Sequence, residues 1–187
     1  MKLIQSSPAL NPCKEVHDLA AKVYQAQDVL SAKILEHWWS AYPQLFWLVY
    51  EDETLCGYTS ALPLTRDAFA KTLTMDFDEK AIQAIDILPF EQVGEYQIYF
   101  SSIVVHPVWR SKGVSQVLRQ AFLQGLLNLY ANDKRTTALS SWVVSERGSK
   151  MMASLGMQLY RQAQKGAVYY AEQSKEKLAS SLTRLSG

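Results

Sequence analysis

The chain has 187 residues, 48% of them hydrophobic and 20% charged, with a formal net charge of +1. That is enough apolar material for one packed domain, and it leaves no global basic field of the kind that non-specific nucleic-acid binding needs. No apolar run approaches membrane-spanning length and the opening MKLIQSSPALNPCKEV lacks the apolar core of a signal peptide, so the chain reads as soluble and cytoplasmic, without a membrane partner.

Leu3-Ile4 reads as a short first strand. Asn11-Pro12 starts a helix, since Asn caps well and Pro suits the first turn, and Val16, Leu19, Ala20, Val23 and Tyr24 follow at helical spacing. A second helix is predicted from about Ser31 to Pro43, with Ile34, Leu35, Trp38 and Trp39 as a core-facing stripe. Phe46–Tyr50 and Leu55–Ala61 make a hairpin across a polar tip, and Gly57 inside its second strand marks a bulge or a close backbone approach. Pro63-Leu64-Thr65 leads into a helical pattern from Asp67 to Leu73. Asp76, Asp78 and Glu79 then cluster, but without the Gly and distal Glu of a calcium loop, and they read as a solvated turn. Cys13 and Cys56 stand far apart without metal-like spacing; Cys56 reads as a buried small hydrophobe, and neither a disulfide framework nor a metal site is expected.

The centre of the chain is the stretch from Gln97 to Phe122. A β-branched and aromatic run, Ile98–Val105, passes through His106-Pro107-Val108-Trp109 into a polar, basic loop, Arg110-Ser111-Lys112-Gly113-Val114-Ser115. An apolar helical pattern follows through Val117, Leu118, Ala121 and Phe122. Such a loop can hold a phosphate. The first amides of a helix lack internal partners and carry the positive end of its dipole. Gly113 permits φ > 0, Arg110 and Lys112 add charge, and Ser115 can cap the helix start. The Gly-x-x-x-x-Gly-Lys-Ser/Thr and Gly-x-Gly-x-x-Gly patterns are both absent, which argues against a P-loop NTPase or a Rossmann dehydrogenase.

Val104-Val105-His106-Pro107 followed by Arg110-x-x-Gly113-x-Ser115 resembles motif A of the GNAT acetyltransferases, Arg/Gln-x-x-Gly-x-Gly/Ala, with Ser115 as a small departure. Farther on, Ser145-x-x-Gly148-x-x-x-Met152-x-x-Leu155-Gly156-Met157 resembles motif B, Asn-x-x-Ala-x-x-x-Tyr-x-x-x-Gly-Phe. The resemblance implies a single α/β (α+β) domain over 1–187: a central mixed, mostly antiparallel twisted sheet flanked by helices and splayed at an acetyl-CoA site. It further implies that the amides of Arg110, Ser111, Lys112, Gly113, Val114 and Ser115 wrap the pyrophosphate. The pantetheine arm would lie beside Ile103, Val104 and Val105, with Ser145 and Gly148 near the arm. Met152 departs from the pattern, because it stands where the family's Tyr commonly protonates the leaving thiolate and a thioether cannot donate a proton.

For the base, strand alternation puts Tyr99, Ser101 and Ile103 on one face. Histone-type relatives carry a Glu base at the position of Tyr99, which makes Tyr99 and Ser101 candidates for a proton relay through water; the other reading of Tyr99 is a core aromatic. His106, His17 and His37 read as structural. In Thr136–Val144 the chain is expected to form another strand, then a helix capped by Ser145 and stopped by Gly156, and a last hairpin across Lys165-Gly166. The tail from Ser174 is helix-prone and packs on the body or on a second subunit of a homodimer. Three functions follow as expectations: acetyl transfer from acetyl-CoA, as cosubstrate, to a primary amine; non-catalytic acyl-CoA binding on the same fold; or an interaction protein without a CoA site.

Overall fold

The computed structural model describes residues 1–186. Seven strands form one sheet in the order β1-β2-β3-β4-β5-β7-β6. They are β1 (Lys2–Gln5), β2 (Phe46–Glu51), β3 (Thr54–Leu64), β4 (Gly94–Val105), β5 (Lys134–Val143), β6 (Gln158–Ala163) and β7 (Gly166–Glu172). Every neighbouring pair is antiparallel except β4 and β5, which are parallel. The helices are α1 (Cys13–Ala21), α2 (Ala32–Ala41), α3 (Arg66–Lys71), α4 (Val114–Leu129), α5 (Glu146–Ser154) and α6 (Lys175–Ser186).

The sheet is buried on both faces, so its central strands read as continuous apolar runs rather than alternating ones. Phe46 and Leu48 of β2 pack with Leu35 and Trp38 of α2 and with Val16 of α1 on one side. Trp47 and Val49 pack with Leu118 and Phe122 of α4 on the other. The ring edges of Trp47 and Phe100 both meet Phe122. Asn11 and Ser31 act at the starts of α1 and α2 as expected: Asn11 Oδ1 accepts from the Cys13 amide at 3.0 Å, and Ser31 Oγ from the Ile34 amide at 3.3 Å. The C-terminal tail packs on its own body, where Leu178 joins the core and Gln116 Nε2 donates to the Leu185 carbonyl at 2.7 Å.

Two strand assignments change. The second hairpin strand does not stop before Pro63 but runs to Leu64, with Pro63 paired to Ile98. Proline is tolerated because the Pro63 carbonyl points away from β4 and accepts from the Leu88 amide at 2.8 Å. Its missing N–H lies on that same outer side, beyond the end of β2, so no ladder bond to β4 is lost. The alternation of β4 is also broken. Ser60 pairs with Ser102 and Ala61 with Phe100, leaving Ser101 unpaired in a β-bulge. Tyr99 and Val104 therefore share one core, whereas Ile103 and Val105 pack against the other. Ile103 does not share the face of Tyr99 as simple alternation predicted.

The bulge precedes a parting of strands. Parallel pairing of β4 with β5 runs from Gly94↔Lys134 to Tyr99↔Ser140 and ends there. Beyond that point β4 follows β3 alone as far as Val105↔Gly57, and β5 follows β7 alone as far as Val143↔Ala167. The sheet opens as a wedge whose sides are Phe100–Val105 and Ser141–Val143.

Candidate functional site

A cavity of about 740 Å³ fills the wedge and continues past it on both sides. All of the sequence-predicted site residues line it except Lys112. The Lys112 ammonium instead lies over the Trp109 ring, 4.4 Å from its centroid, a cation–π contact that takes it out of the wall.

One end is formed by the loop into α4. Pro107–Trp109 makes a 3-10 turn started by His106, whose Nδ1 accepts from the Val108 amide at 3.3 Å, so this histidine is structural. Ser111 (φ 65°) and Gly113 (φ 80°) both lie in the left-handed region. A Cβ on Gly113 would meet nothing within 4 Å, so its requirement there is conformational rather than steric. Gly113 itself is the N-cap of α4. Ser115 is already inside the helix and does not cap it, contrary to expectation, because the left-handed Gly113 starts the helix two residues earlier. Among the described residues no oxygen accepts from the amides of Ser111, Gly113, Val114 or Ser115. Arg110, Arg119, Arg147 and Lys150 line the same end. Arg119 is held by Ser154 Oγ at 2.8 Å and by the Ser115 carbonyl at 3.2 Å.

Two glycines bring the walls together. A Cβ on Gly57 would lie 2.8 Å from both the Val104 carbonyl oxygen and a Val114 methyl, so the start of α4 can sit on β3 only where the side chain is absent. A Cβ on Gly148 would lie 2.7 Å from a Val143 methyl. Ser145 caps α5, its Oγ accepting from the Gly148 amide at 3.1 Å, which leaves its hydroxyl proton free to donate to a ligand. Met152 is buried in the core and also lines the cavity.

The other end is built from side chains. Tyr99 Oη and Ser101 Oγ both donate to the same oxygen, Glu79 Oε2, each at 3.0 Å. Reading the acidic cluster as a solvated turn therefore fails for Glu79, although Asp76 and Asp78 are exposed. The segment carrying Glu79 is pinned to the sheet and to α2. Phe77 packs edge-on against Tyr99 with ring centroids 5.2 Å apart, and Trp38 Nε1 donates to the Ile82 carbonyl at 3.0 Å. His37 Nε2 accepts from the Ala84 amide at 3.2 Å, and Lys80 Nζ donates to the Gln27 carbonyl at 2.8 Å. Phe77 and Ile82, apolar residues on either side of Glu79, are the sequence signal that this turn packs down.

Burial raises the Glu79 carboxyl to about 7; the hydroxyls of Ser101 and Tyr99 pull the other way, Asp78 adds to the rise and Lys80 opposes it. Burial and the Glu79 charge hold the Tyr99 phenol well above its usual range, so at neutral pH it remains a donor and not a base. Tyr24 also lines this end. Its phenol, pushed up to about 12 chiefly by burial, reaches toward the Ile103 carbonyl at 3.5 Å, on the open edge of β4. His17, whose Nδ1 lies 2.8 Å from the Leu30 carbonyl, and His37 are structural as expected. Cys13 and Cys56 are buried free thiols, and no group of three metal-ligating side chains occurs among the described residues. No described helix is long and apolar enough to cross a membrane.

No family model matches the chain, and no curated protein matches it by sequence. Solved structures do match. A GNAT-like decarboxylase, GphF, in complex with isobutyryl-CoA superposes with a TM-score of 0.65 at 13% identity, covering 92% of this chain and 99% of that one. The loading GNATL domain of CurA from Lyngbya majuscula gives 0.67 at 8% identity, over 91% and 96% of the two chains. Arabidopsis thaliana NAA60 in complex with acetyl-CoA gives 0.62 at 9% identity, over 92% and 99%. With its mixed seven-stranded sheet, the β4 bulge and the wedge between β4 and β5, this chain has the GNAT fold.

Proposed function

We propose that the protein binds acetyl-CoA in the wedge and transfers the acetyl group to a primary amine by direct attack. The observation that carries this reading is the set of unclaimed amides at Ser111, Gly113, Val114 and Ser115, at the positive end of α4, on residues that line the cavity. Free amides at a helix start, with Arg110 and Arg147 nearby, fit a diphosphate. The open edge of β4 beyond Tyr99 has unpaired backbone groups that an extended pantetheine arm can use as a strand would. Holding thioester and amine in line inside one cavity supplies much of the rate by itself.

Met152 cannot protonate the leaving sulfur, and Tyr24 takes that part in this reading. Its phenol is kept protonated by burial and stands at the β4 edge where the thioester would lie. Amine transfer is favoured over decarboxylation, the activity named for one fold neighbour, by the charge of the acceptor end. Decarboxylation needs an acyl group bearing a carboxylate, and Asp28, Asp78 and Glu79, which outnumber Lys80 in the lining of that end, disfavour a further anion. They favour an ammonium group. Calorimetry with CoA tests the binding step, and release of free thiol from acetyl-CoA across a panel of primary amines tests the transfer. Saturable CoA binding with amine-dependent thiol release is the expected result. CoA binding without thiol release for any amine would leave a non-catalytic binding protein, and no CoA binding would remove the assignment altogether.

A further inference from the structure

Resting on the acyl-transfer reading, we propose that Glu79 is the catalytic base that takes the proton from the incoming amine, with Tyr99 and Ser101 as the positioning residues that aim it. Glu79 comes from the irregular segment between α3 and β4, not from the strands that form the wedge. Its two oxygens are differently placed. Oε2 accepts from Tyr99 and Ser101 at 3.0 Å each. Oε1 receives no hydrogen bond from the described residues and is not sealed from solvent, and the residue lines the cavity. No lysine or arginine pairs with the carboxylate among the described residues. Lys80, next in sequence, spends its ammonium on the Gln27 carbonyl. The groups facing Glu79 from its surroundings are the phenols of Tyr99 and Tyr24, with Tyr58 acting at longer range, together with the anionic Asp78 and Asp28. Apart from Lys80, whose ammonium is engaged by the Gln27 carbonyl, all are neutral or negative, so the open position on Oε1 suits a cation that can give up a proton.

The β4 bulge makes the clamp possible. It keeps Tyr99 and Ser101 directed to one carboxylate while the strand beyond them swings to the wedge. In the step itself the ammonium gives one proton to Glu79 Oε1, which frees the nitrogen lone pair. The nitrogen–carbon bond forms at the thioester carbonyl and the carbon–sulfur bond breaks. A second nitrogen proton ends on the sulfur, giving the thiol, and Glu79 passes its own proton to water. Ammonium and thioester thus become amide, thiol and one released proton.

Glu79→Gln tests this cleanly, because the Gln carbonyl oxygen can still accept from both hydroxyls but cannot take the proton. Thiol release from acetyl-CoA with the primary amine most active in the panel would be followed against pH, with CoA affinity measured in parallel. The wild type should show kcat/KM rising through an inflection near pH 7, where Glu79 titrates. The Gln variant should bind CoA as the wild type does, lose that inflection, and fall by on the order of 100-fold or more in rate. Tyr99→Phe removes a donor that favours the ionised carboxylate, so its inflection should move to higher pH and its rate should recover at alkaline pH; a merely structural Tyr99 would leave the inflection in place. Retained turnover and an unmoved pH profile in Glu79→Gln, with normal CoA binding, overturn this inference alone. Failure of the wild type to bind CoA overturns it together with the acyl-transfer reading.

Discussion

The two ends of the cavity are made of different materials. The end at α4 is made of backbone: four amides from one loop of consecutive residues, left free by Gly113 in the left-handed region and by the unsatisfied first turn of a helix. The far end is made of side chains brought from separate parts of the chain: Tyr24 just beyond α1, Asp78 and Glu79 from the irregular segment, and Tyr99 and Ser101 from β4. A backbone seat binds what every member of a chemical class has in common, such as a diphosphate. A side-chain pocket is where a particular acceptor is chosen, and it can change without disturbing the seat.

The sharpest way to separate the ends is to damage one and spare the other. Ser115→Glu places a carboxylate beside the free amides, at a helix position where an acidic residue is favourable to the fold by about 0.3–1 kcal/mol. CoA affinity should fall on the order of 100-fold in calorimetry while the circular dichroism spectrum and melting temperature hold; unchanged affinity would mean that the diphosphate sits elsewhere. Tyr24→Phe should do the reverse, leaving CoA affinity within about twofold and slowing thiol release roughly tenfold or more by removing the proper acid. Wild-type turnover in that variant would return the thiolate's proton to water.

Gly57→Ala joins the ends mechanically. The added methyl meets the Val104 carbonyl and Val114 at 2.8 Å, and overpacking of this kind costs about 1–3 kcal/mol. A lower melting temperature together with weaker CoA binding is expected, since the start of α4 must move. A lower melting temperature alone would show that the amide seat tolerates the shift.

The smallest expected effect concerns stability. Burial raises the Glu79 carboxyl from its ordinary range to about 7, so the folded protein holds a proton there that the unfolded chain releases at lower pH. Its ionisation therefore costs stability progressively as pH rises from about 4.5 to 7, and the full cost is present above that. Glu79→Gln should melt higher than the wild type at pH 8 and close to it below pH 4.5. Equal melting temperatures at both pH values would mean that Glu79 is not held in a desolvating site.

This contrast also explains what could be read from the residues alone. Val104 to Ser115 is one contiguous strand–loop–helix whose shape follows from local rules about glycine and helix starts, so its free amides and its place in the cavity wall were legible apart from Lys112 and the capping role given to Ser115. Ser145 was legible as a helix cap for the same reason. Glu79 was not, because its meaning depends on Tyr99, 20 positions away, and Ser101, 22 away, and on Phe77 and Trp38 holding the turn down. Local composition shows three acidic residues in a polar stretch; only the fold separates the one that turns inward. The bulge at Ser101 was hidden for a related reason, since strand alternation assumes an unbroken ladder and a bulge is a property of a pair.

Capture of a diphosphate by the free amides at the start of α4 can be watched directly. In the amide nitrogen–proton NMR spectrum, titration with CoA should move the Ser111, Gly113, Val114 and Ser115 resonances most, saturating with the calorimetric affinity. Saturable binding that leaves these four resonances still, or the absence of any binding, would contradict it.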